Sequence, residues 1–311
     1  PSFTGNITLP STGRIIIDDY APNIIIHGNY YEVAANISGA RNIIIGPGTA
    51  GSITSGSRNH IFGYLAAYNI TTGLGNNIMG YKAAHAGNIA GDGYNNIFMA
   101  EAGYNITTGK HNNIFGYRSG YNMTTGDYNN ISGSEAGYNL TTGSHNNIMG
   151  YKAANTGVLT GEYNNIFGRE AGNNMTTGAY NNIMGYRAAY AGVMTGNGHN
   201  NIFGYESGYN MTSGNNNNLM GHSAGYNITT GLYNNILGLA AGKNMTTGAY
   251  NNIMGYRAAH AGVMTGNGHN NIFGYESGLN MTSGNNNNLF GLGAGQGLTT
   301  GANNNVMGQR A

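Results

Sequence analysis

The first residues of this chain whose spacing suggests chemistry are asparagines in Asn-x-Thr sequences. Such an asparagine can accept an N-linked glycan in an exported protein when Asn and Thr lie together on the surface. An apolar residue separates Asn from Thr each time, and we expect it to point inward. Successive coils of the fold predicted below lie only ~4.8 Å apart, which crowds bulky glycans, so the chemistry of a tight turn is the competing interpretation. The candidate sites are Asn69, Asn105, Asn122, Asn139, Asn174, Asn210, Asn227, Asn244 and Asn280.

Histidines and carboxylates, the usual general acids and bases, recur along the chain instead of converging once as catalysis requires. Four histidines stand just before a pair of asparagines, where other units have tyrosine: His111, His145, His199 and His269. No Ser-His-Asp order, phosphate loop or His-Glu-x-x-His string occurs, and the chain has no cysteine. We therefore predict that the protein is not an enzyme and has neither a cofactor nor a metal site.

Charged residues are scarce, and nearly half of them occupy one position of the repeat. Of 23 charges (12 Lys and Arg, 11 Asp and Glu), eleven lie four residues after an apolar marker described below. The sign alternates strictly over the first eight, so stacking would place each charge between two opposite ones and penalise a shift by one unit. Each exposed pair contributes only ~0.2–1 kcal/mol, so we expect a role in register more than in stability. This charge ladder comprises Lys82, Glu101, Arg118, Glu135, Lys152, Glu170, Arg187, Glu206, Arg257, Glu276 and Arg310.

The elements that must position these residues follow from a period of about 17 residues. The sequence Asn-Asn-Ile-x-Gly recurs about sixteen times, and its apolar residue marks each unit. Insertions lengthen a few units, at residues 84–91, 191–196 and 261–266. The markers are Ile44, Ile61, Ile78, Ile97, Ile114, Ile131, Ile148, Ile166, Ile183, Ile202, Leu219, Ile236, Ile253, Ile272, Leu289 and Val306.

Glycines divide each unit into short extended runs, as at Gly116, Gly120 and Gly126. This spacing is typical of the turns of a β-solenoid and too interrupted for a helix. We predict an all-β fold, a β-solenoid (β-helix or β-roll) of about sixteen 17-residue coils that associates with copies of itself. Each coil is predicted to hold two short strands joined by tight turns.

The chain divides into two predicted regions. Residues 41–311 form the β-solenoid repeat domain. Residues 1–40 differ from the repeats and form an N-terminal cap or connector, with apolar strands at Ile15–Ile17 and Ile24–Ile26. The last coil has no cap of its own, so we expect it to pair with another subunit.

The residue after each marker is also apolar in most units. Neighbouring residues of a strand point to opposite faces, so this second column cannot share the core of the markers. A continuous exposed apolar stripe indicates an interface, and the simplest partner is another copy of the chain, in a homotrimer or a lateral array. The alternative is a bulge at the glycine that turns both residues inward.

Asparagine and tyrosine columns complete the unit. Stacked asparagines can form hydrogen bonds along a solenoid, as in cross-β assemblies, so we interpret most of the pairs as structural. The tyrosines are expected to form exposed stacks, a surface that could also bind sugars. They precede the asparagine pair at Tyr94, Tyr128, Tyr163, Tyr180, Tyr233 and Tyr250, and they follow the glycine at Tyr64, Tyr81, Tyr117, Tyr151, Tyr186, Tyr205, Tyr256 and Tyr275.

Composition excludes several classes of protein. With 55 glycines but only 4 prolines and no Gly-X-Y period the chain is not collagen, and with 40% apolar residues and 24 tyrosines it is not a solvated disordered chain. A net charge of +1 without a basic run predicts no nucleic-acid partner. Apolar runs fall far short of the ~20 residues of a membrane helix, so we predict no membrane insertion. The start at Pro1 predicts a trimmed initiator methionine or leader.

The units, such as Ala-Gly-Tyr-Asn-Ile-Thr-Thr-Gly-Lys-His-Asn-Asn-Ile-Phe-Gly at 102–116, resemble the repeats of phage tail-fibre and tail-spike shafts. They are also similar to the head repeats of trimeric autotransporter adhesins. The resemblance covers roughly residues 41–311, although most units lack the extra residue that those repeats carry before glycine. It implies a homotrimeric β-roll or β-helix used for attachment.

We therefore expect a non-enzymatic structural protein that self-assembles into an extracellular or virion fibre, such as a filament, a sheath or a tail-fibre shaft. The alternative is a receptor-binding tail fibre or adhesin that recognises cell-surface glycans. The expected location is extracellular or at the cell surface, or else in a phage virion.

Overall fold

The computed structural model describes residues 23–26 and 37–311, in which seventeen parallel strands stack into one sheet. Each strand pairs in register with the strands before and after it, as Ile148 does with Ile131 and Ile166. The predicted all-β solenoid is confirmed. The strands are β1 (Ile24–Ile26), β2 (Ile43–Ile45), β3 (His60–Phe62), β4 (Asn77–Met79), β5 (Asn96–Phe98), β6 (Asn113–Phe115), β7 (Asn130–Ser132), β8 (Asn147–Met149), β9 (Asn165–Phe167), β10 (Asn182–Met184), β11 (Asn201–Phe203), β12 (Asn218–Met220), β13 (Asn235–Leu237), β14 (Asn252–Met254), β15 (Asn271–Phe273), β16 (Asn288–Phe290) and β17 (Asn305–Met307).

Each strand is short because turn conformations bracket it. Before β8, His145 has a φ of 58°, and directly after it Gly150 has a φ of 136°. Neither φ value is compatible with an extended strand, and the conformation of Gly150 is accessible almost only to glycine. Between these two points the marker Ile148 is buried, while Asn147 and Met149 on either side of it face outward.

The predicted second strand in each coil is wrong. Beyond the named strands, the described residues form only isolated bridges, such as Leu140 with Leu159. Residues in the left-handed conformation interrupt the part of each coil that lies between one named strand and the next. Glu135 and Gly137, for example, have φ values of 56° and 55°. Hydrogen bonds between coils nevertheless continue, since the Gly137 amide donates to the Ala153 carbonyl over 2.8 Å. The turns therefore stack in register without being extended.

The core is a narrow column inside the stacked coils. In the coil of β7 it consists of the marker Ile131, the small residue Ala136 and the apolar residue Leu140 of the Asn-x-Thr sequence, all with no exposed surface. The predicted inward positions of the marker and of the residue between Asn and Thr are both confirmed. Because each coil covers only its neighbours, the hydrophobic core extends along the stack rather than across a globule.

The sheet continues into the region that the sequence assigns to a cap or connector. Strand β1 pairs in parallel with β2, and the Asn23 side chain accepts a hydrogen bond from the Asn42 amide over 2.9 Å. The side chains of β1 are exposed. Ile15–Ile17, the other strand predicted there, lies outside the described residues.

Candidate functional site

The outward face of the sheet carries the second apolar column. These side chains follow the buried markers and point away from them, so the alternative of a bulge that buries both residues is wrong. Their exposure alternates from coil to coil: Met149, Met184 and Met220 are exposed by 39 to 48%, whereas Phe167 and Phe203 between them are half-buried. The face is therefore an apolar ridge whose high points recur every second coil.

The charge ladder has the same two-coil period. Its members form ion pairs between adjacent coils, with Arg118 Nε 2.6 Å from Glu101 Oε2 and Arg187 Nε 2.6 Å from Glu170 Oε2. Two further pairs join Arg257 to Glu276 over 2.7 Å and Lys152 to Glu135 over 3.6 Å, but within the described residues no ion pair within 4.0 Å involves Lys82, Glu206 or Arg310. The alternating signs thus link coils in pairs rather than along an unbroken chain.

Ladder residues have a backbone conformation that the sequence did not reveal. Glu135, Lys152 and Arg187 have φ values of 56°, 53° and 49°, in the left-handed region. The strain is compensated by a hydrogen bond across coils, in which the Glu135 amide donates to the Tyr117 carbonyl over 2.8 Å. Non-glycine residues adopt this conformation at a cost of roughly 1–2 kcal/mol each, so the stack must hold them in place.

Glu170 is the most enclosed carboxylate of the ladder, with a side chain only 11% exposed. Besides Arg187 it contacts Arg169, whose Nε lies 3.4 Å from Glu170 Oε1. The hydrogen bond from Arg187, followed by the charges of both guanidinium groups, holds the pKa of Glu170 below its usual value, although burial opposes this shift. Sequence reasoning missed Arg169, because its column is mostly tyrosine.

Buried asparagines form a continuous column beside the core. Asn146 has no exposed surface, and its side-chain oxygen accepts both the backbone and the amide N–H of Asn164, over 2.9 and 3.0 Å. Its own amide donates to Asn129 Oδ1 over 3.2 Å and to the Gly161 carbonyl over 3.0 Å. A buried polar group is stable only when its hydrogen bonds are made, and this column makes them from coil to coil.

The Asn-x-Thr asparagines form another column, half-exposed along most of its length. The amide of Asn105 donates to Asn122 Oδ1 over 3.0 Å, and Asn122 donates to Asn139 Oδ1 over 2.7 Å. The others donate similarly to the next coil, as Asn69 does to the Ala86 carbonyl over 3.1 Å. Each candidate glycosylation site therefore already uses its amide nitrogen as a donor, and whether it also carries a glycan stays a prediction.

The aromatic column before the asparagine pairs stacks ring upon ring. Seven rings from Tyr94 to His199 have centroids 4.7 to 5.5 Å apart and planes within 13° of parallel. Tyrosine and histidine alternate in it without breaking the stack, as in Tyr128, His145 and Tyr163. Each ring stacks on its neighbour's face, although the tyrosines of the column keep 41 to 53% of their surface exposed. The stacking packs the coils together and leaves less of each ring face for a sugar than an isolated ring would offer.

The tyrosines after the glycine do not form one continuous stack. Short stacks occur, as between Tyr186 and Tyr205 over 5.0 Å and between Tyr256 and Tyr275 over 4.9 Å, but other residue types separate them. Cations lie over some of the rings, as Arg118 lies 5.0 Å above the Tyr117 centroid. Sequence reasoning missed a third stack, in which Tyr121 lies 4.7 Å from Tyr104. Burial raises the pKa of Tyr121. The recurring Gly-Tyr-Asn sequence was the available signal.

Metal-ligating residues do not converge in the part of the chain that the structure describes, where no three His, Asp or Glu side chains could hold one ion. Residues 23–26 and 37–311 also contain no helix that is long and apolar enough to cross a membrane. Comparisons with protein families, curated proteins and solved structures find no match for this chain. The function proposed below therefore rests on the surfaces of the solenoid alone.

Proposed function

We propose that this chain is a non-enzymatic structural protein whose solenoids associate side by side into a fibre, outside the cell or in a virion. The observation that carries the proposal is the apolar ridge on the outward face of the sheet, from Phe62 on β3 to Met307 on β17, in which the one polar residue is Ser132 on β7. A solvated protein rarely exposes an apolar stripe of this length unless something covers it.

The dimensions of the ridge suit a second copy of the chain. Fifteen strands from β3 to β17 span fourteen spacings of ~4.8 Å, or about 67 Å, and three residues per strand give the sheet face a width of about 10 Å, which the ridge shares with the outward asparagine column beside it. The resulting ~670 Å² per partner approaches the ~800 Å² that a stable protein interface buries on each side. An interface of this size requires contact along nearly the whole ridge. Side-by-side association of parallel or antiparallel rods is therefore favoured over a local contact between them.

The relief of the ridge also suits a copy of itself. Exposed residues such as Met184 and Met220 are separated by the half-buried Phe203, so high points recur at two coil spacings, ~9.6 Å. A second ridge of equal period, shifted by one coil, can place its high points against these lower positions. Shape complementarity of this kind is what a packed interface core requires.

A receptor-binding fibre or adhesin that recognises glycans is the second candidate. The column of seven stacked rings does not favour it, because each ring stacks on its neighbour's face. A groove with asparagine and threonine side chains on its floor, on another side of the coils, does favour it and is treated in the next subsection.

The test of self-assembly compares matched variants of the full chain. Met184→Glu together with Met220→Glu places charges at exposed points of the ridge, whereas Thr142→Glu together with Thr230→Glu adds the same charge at exposed positions away from the sheet. Electron microscopy and sedimentation velocity should show filaments or sheets for the wild type and the threonine variant. The methionine variant should remain as separate rods. Discrete wild-type rods that bind cells would instead favour the adhesin.

A further inference from the structure

A groove of about 550 Å³ lies on the Asn-x-Thr side of the solenoid. Its floor is formed by Asn210, Asn227 and Asn244 with their threonines two residues on, and its ends are the inserted turns that carry Val193 and Val263. These two valines are exposed by 49 and 50%. The groove is thus a polar floor between two apolar walls.

The walls are held in place by close backbone contacts. Each contains a glycine, Gly192 or Gly262, at which a Cβ atom would collide with the carbonyl oxygen of Met211 or Met281 in the next coil. The inserted turns therefore pack directly on the neighbouring coil and are fixed in position. They follow β10 and β14, so four coil spacings of ~4.8 Å, about 19 Å, separate them.

The floor keeps unused hydrogen-bonding capacity. Asn210 donates to Asn227 Oδ1 over 2.8 Å and Asn227 donates to Asn244 Oδ1 over 3.0 Å. A side-chain amide has two N–H donors and an oxygen with two lone pairs. Each asparagine of this hydrogen-bonded row therefore retains at least one donor and one acceptor. The hydroxyl of Thr212 donates to the Thr229 carbonyl over 3.1 Å, which leaves its oxygen as an acceptor.

A similar arrangement occurs a second time in the chain, with Asn88 at the position in the first wall that Val193 occupies in the first groove. Asn105, Asn122 and Asn139 form an equivalent hydrogen-bonded floor between the inserted turn after β4 and the turn of Val158 after β8, again four coils apart. The two floors also end in the same way, with a hydrogen bond to the turn beyond them. Asn139 donates to the Thr156 carbonyl over 3.1 Å, and Asn244 donates to the Ala261 carbonyl over 3.4 Å. Val158 is 55% exposed.

We propose that each groove binds a short segment of a linear, uncharged polysaccharide. Donors and acceptors alternate along the floor at the ~4.8 Å coil spacing, which is close to the length of one sugar ring and unlike the ~3.4 Å rise of an extended peptide. No charged residue lines the groove, so a nucleic acid or an acidic polymer finds no cation to neutralise it. The inserted turns leave three floor coils between them, about 14 Å, so they limit the bound segment to about three sugar rings. This inference goes beyond self-assembly and holds whether or not fibres form.

The experiment titrates the full chain with neutral oligomers of two to six residues, made of β-1,4-linked glucose, mannose or N-acetylglucosamine, and with oligogalacturonate as the anionic control. Calorimetry should show two sites per chain for at least one neutral series, with affinity that rises up to about three residues and then levels off. Val263→Arg fills the end of one groove and Val158→Arg the end of the other. Each should halve the number of sites, and the double variant should have none.

Thr265→Arg is the matched control, because it adds the same charge to an exposed position of the same turn that does not line the groove. It should keep two sites, as should the ridge variant Met184→Glu, which separates this result from the test of assembly. Binding that survives Val158→Arg and Val263→Arg together, or the absence of binding to every neutral oligomer, would overturn the proposal. Peptide mapping by mass spectrometry that finds sugars attached at Asn227 would also overturn it, because the groove would then hold the protein's own glycan.

Discussion

The buried asparagine column allows a sharp prediction, because two adjacent asparagines in one coil face opposite ways. Asn146→Ala removes a fully buried amide, whereas Asn147→Ala removes the half-buried amide next to it. The two changes delete the same atoms from neighbouring residues of one coil and have the same effect on the unfolded chain. The difference between their free energies of unfolding therefore reports the buried hydrogen bonds.

The structure gives the size of the effect. Without the Asn146 side chain, three buried groups are left without a partner: the backbone N–H of Asn164, one N–H of its amide, and the Gly161 carbonyl. Asn129 Oδ1 also loses a bond but still accepts the backbone N–H of Asn146. At roughly 1–2 kcal/mol each, the lower part of the range for buried unsatisfied groups, the loss is about 3–6 kcal/mol. Asn147 makes one side-chain bond, to Asn165 Oδ1 over 2.7 Å, and its removal should cost only ~0.5–1.5 kcal/mol.

Guanidinium unfolding followed by far-ultraviolet circular dichroism measures the global difference. Hydrogen exchange by mass spectrometry measures local opening, which is needed because a stack of repeats can open a few coils at a time. Asn146→Ala should accelerate exchange in the coils of β8 and β9, while Asn147→Ala should leave it nearly unchanged. Equal losses of stability, within ~0.5 kcal/mol, would refute the view that the buried column holds the coils together.

Three further predictions concern charge, pH and glycine. Glu135→Lys replaces the 3.6 Å pair with Lys152 by a like-charge contact and should lower stability by ~0.5–1 kcal/mol at low salt but not in 1 M salt, as thermal melts would show. Because the folded-state pKa of Glu170 is lowered, its stabilisation is complete above the unfolded pKa and is lost as pH falls through the folded value; Glu170→Gln should therefore flatten the fall in denaturation midpoint from pH 7 to pH 3, and an unchanged slope would contradict this. Gly150→Ala and Gly196→Ala both introduce a side chain at positive φ, but only at Gly150 does a Cβ collide with backbone, so unfolding midpoints should show a loss of about 3 kcal/mol or more for the first and ~1–2 kcal/mol for the second.

Much of the architecture could be predicted because in-register stacking turns sequence spacing into spatial contact. The marker Ile148 and its equivalents one period away are neighbours in the sheet, so a column read from the sequence is also a column in space. The alternation of side chains along a strand then predicted that Met149 faces outward. Only nearest-neighbour geometry was needed for these predictions.

The remainder could not be predicted, because hydrophobic and charge patterns carry no information about φ. Nothing in the residue types of Glu135 or Lys152 indicates a left-handed conformation, which is set by hydrogen bonds to adjacent coils. That conformation is why the expected second strand is replaced by turns. The walled groove was also missed, since the insertions at 191–196 and 261–266 were seen only as departures from the period.

The shared two-coil period of ridge and charge ladder has a consequence for how such a chain can grow. Exposed Met79 lies on the coil of cationic Lys82, and half-buried Phe98 lies on the coil of acidic Glu101. Gaining or losing an odd number of coils would set like charges together and place two high points side by side, whereas an even number restores both patterns. A gene that gains or loses repeats must therefore do so in even numbers of coils. The near-copy of residues 178–214 at 248–284, four coils further on, meets this condition.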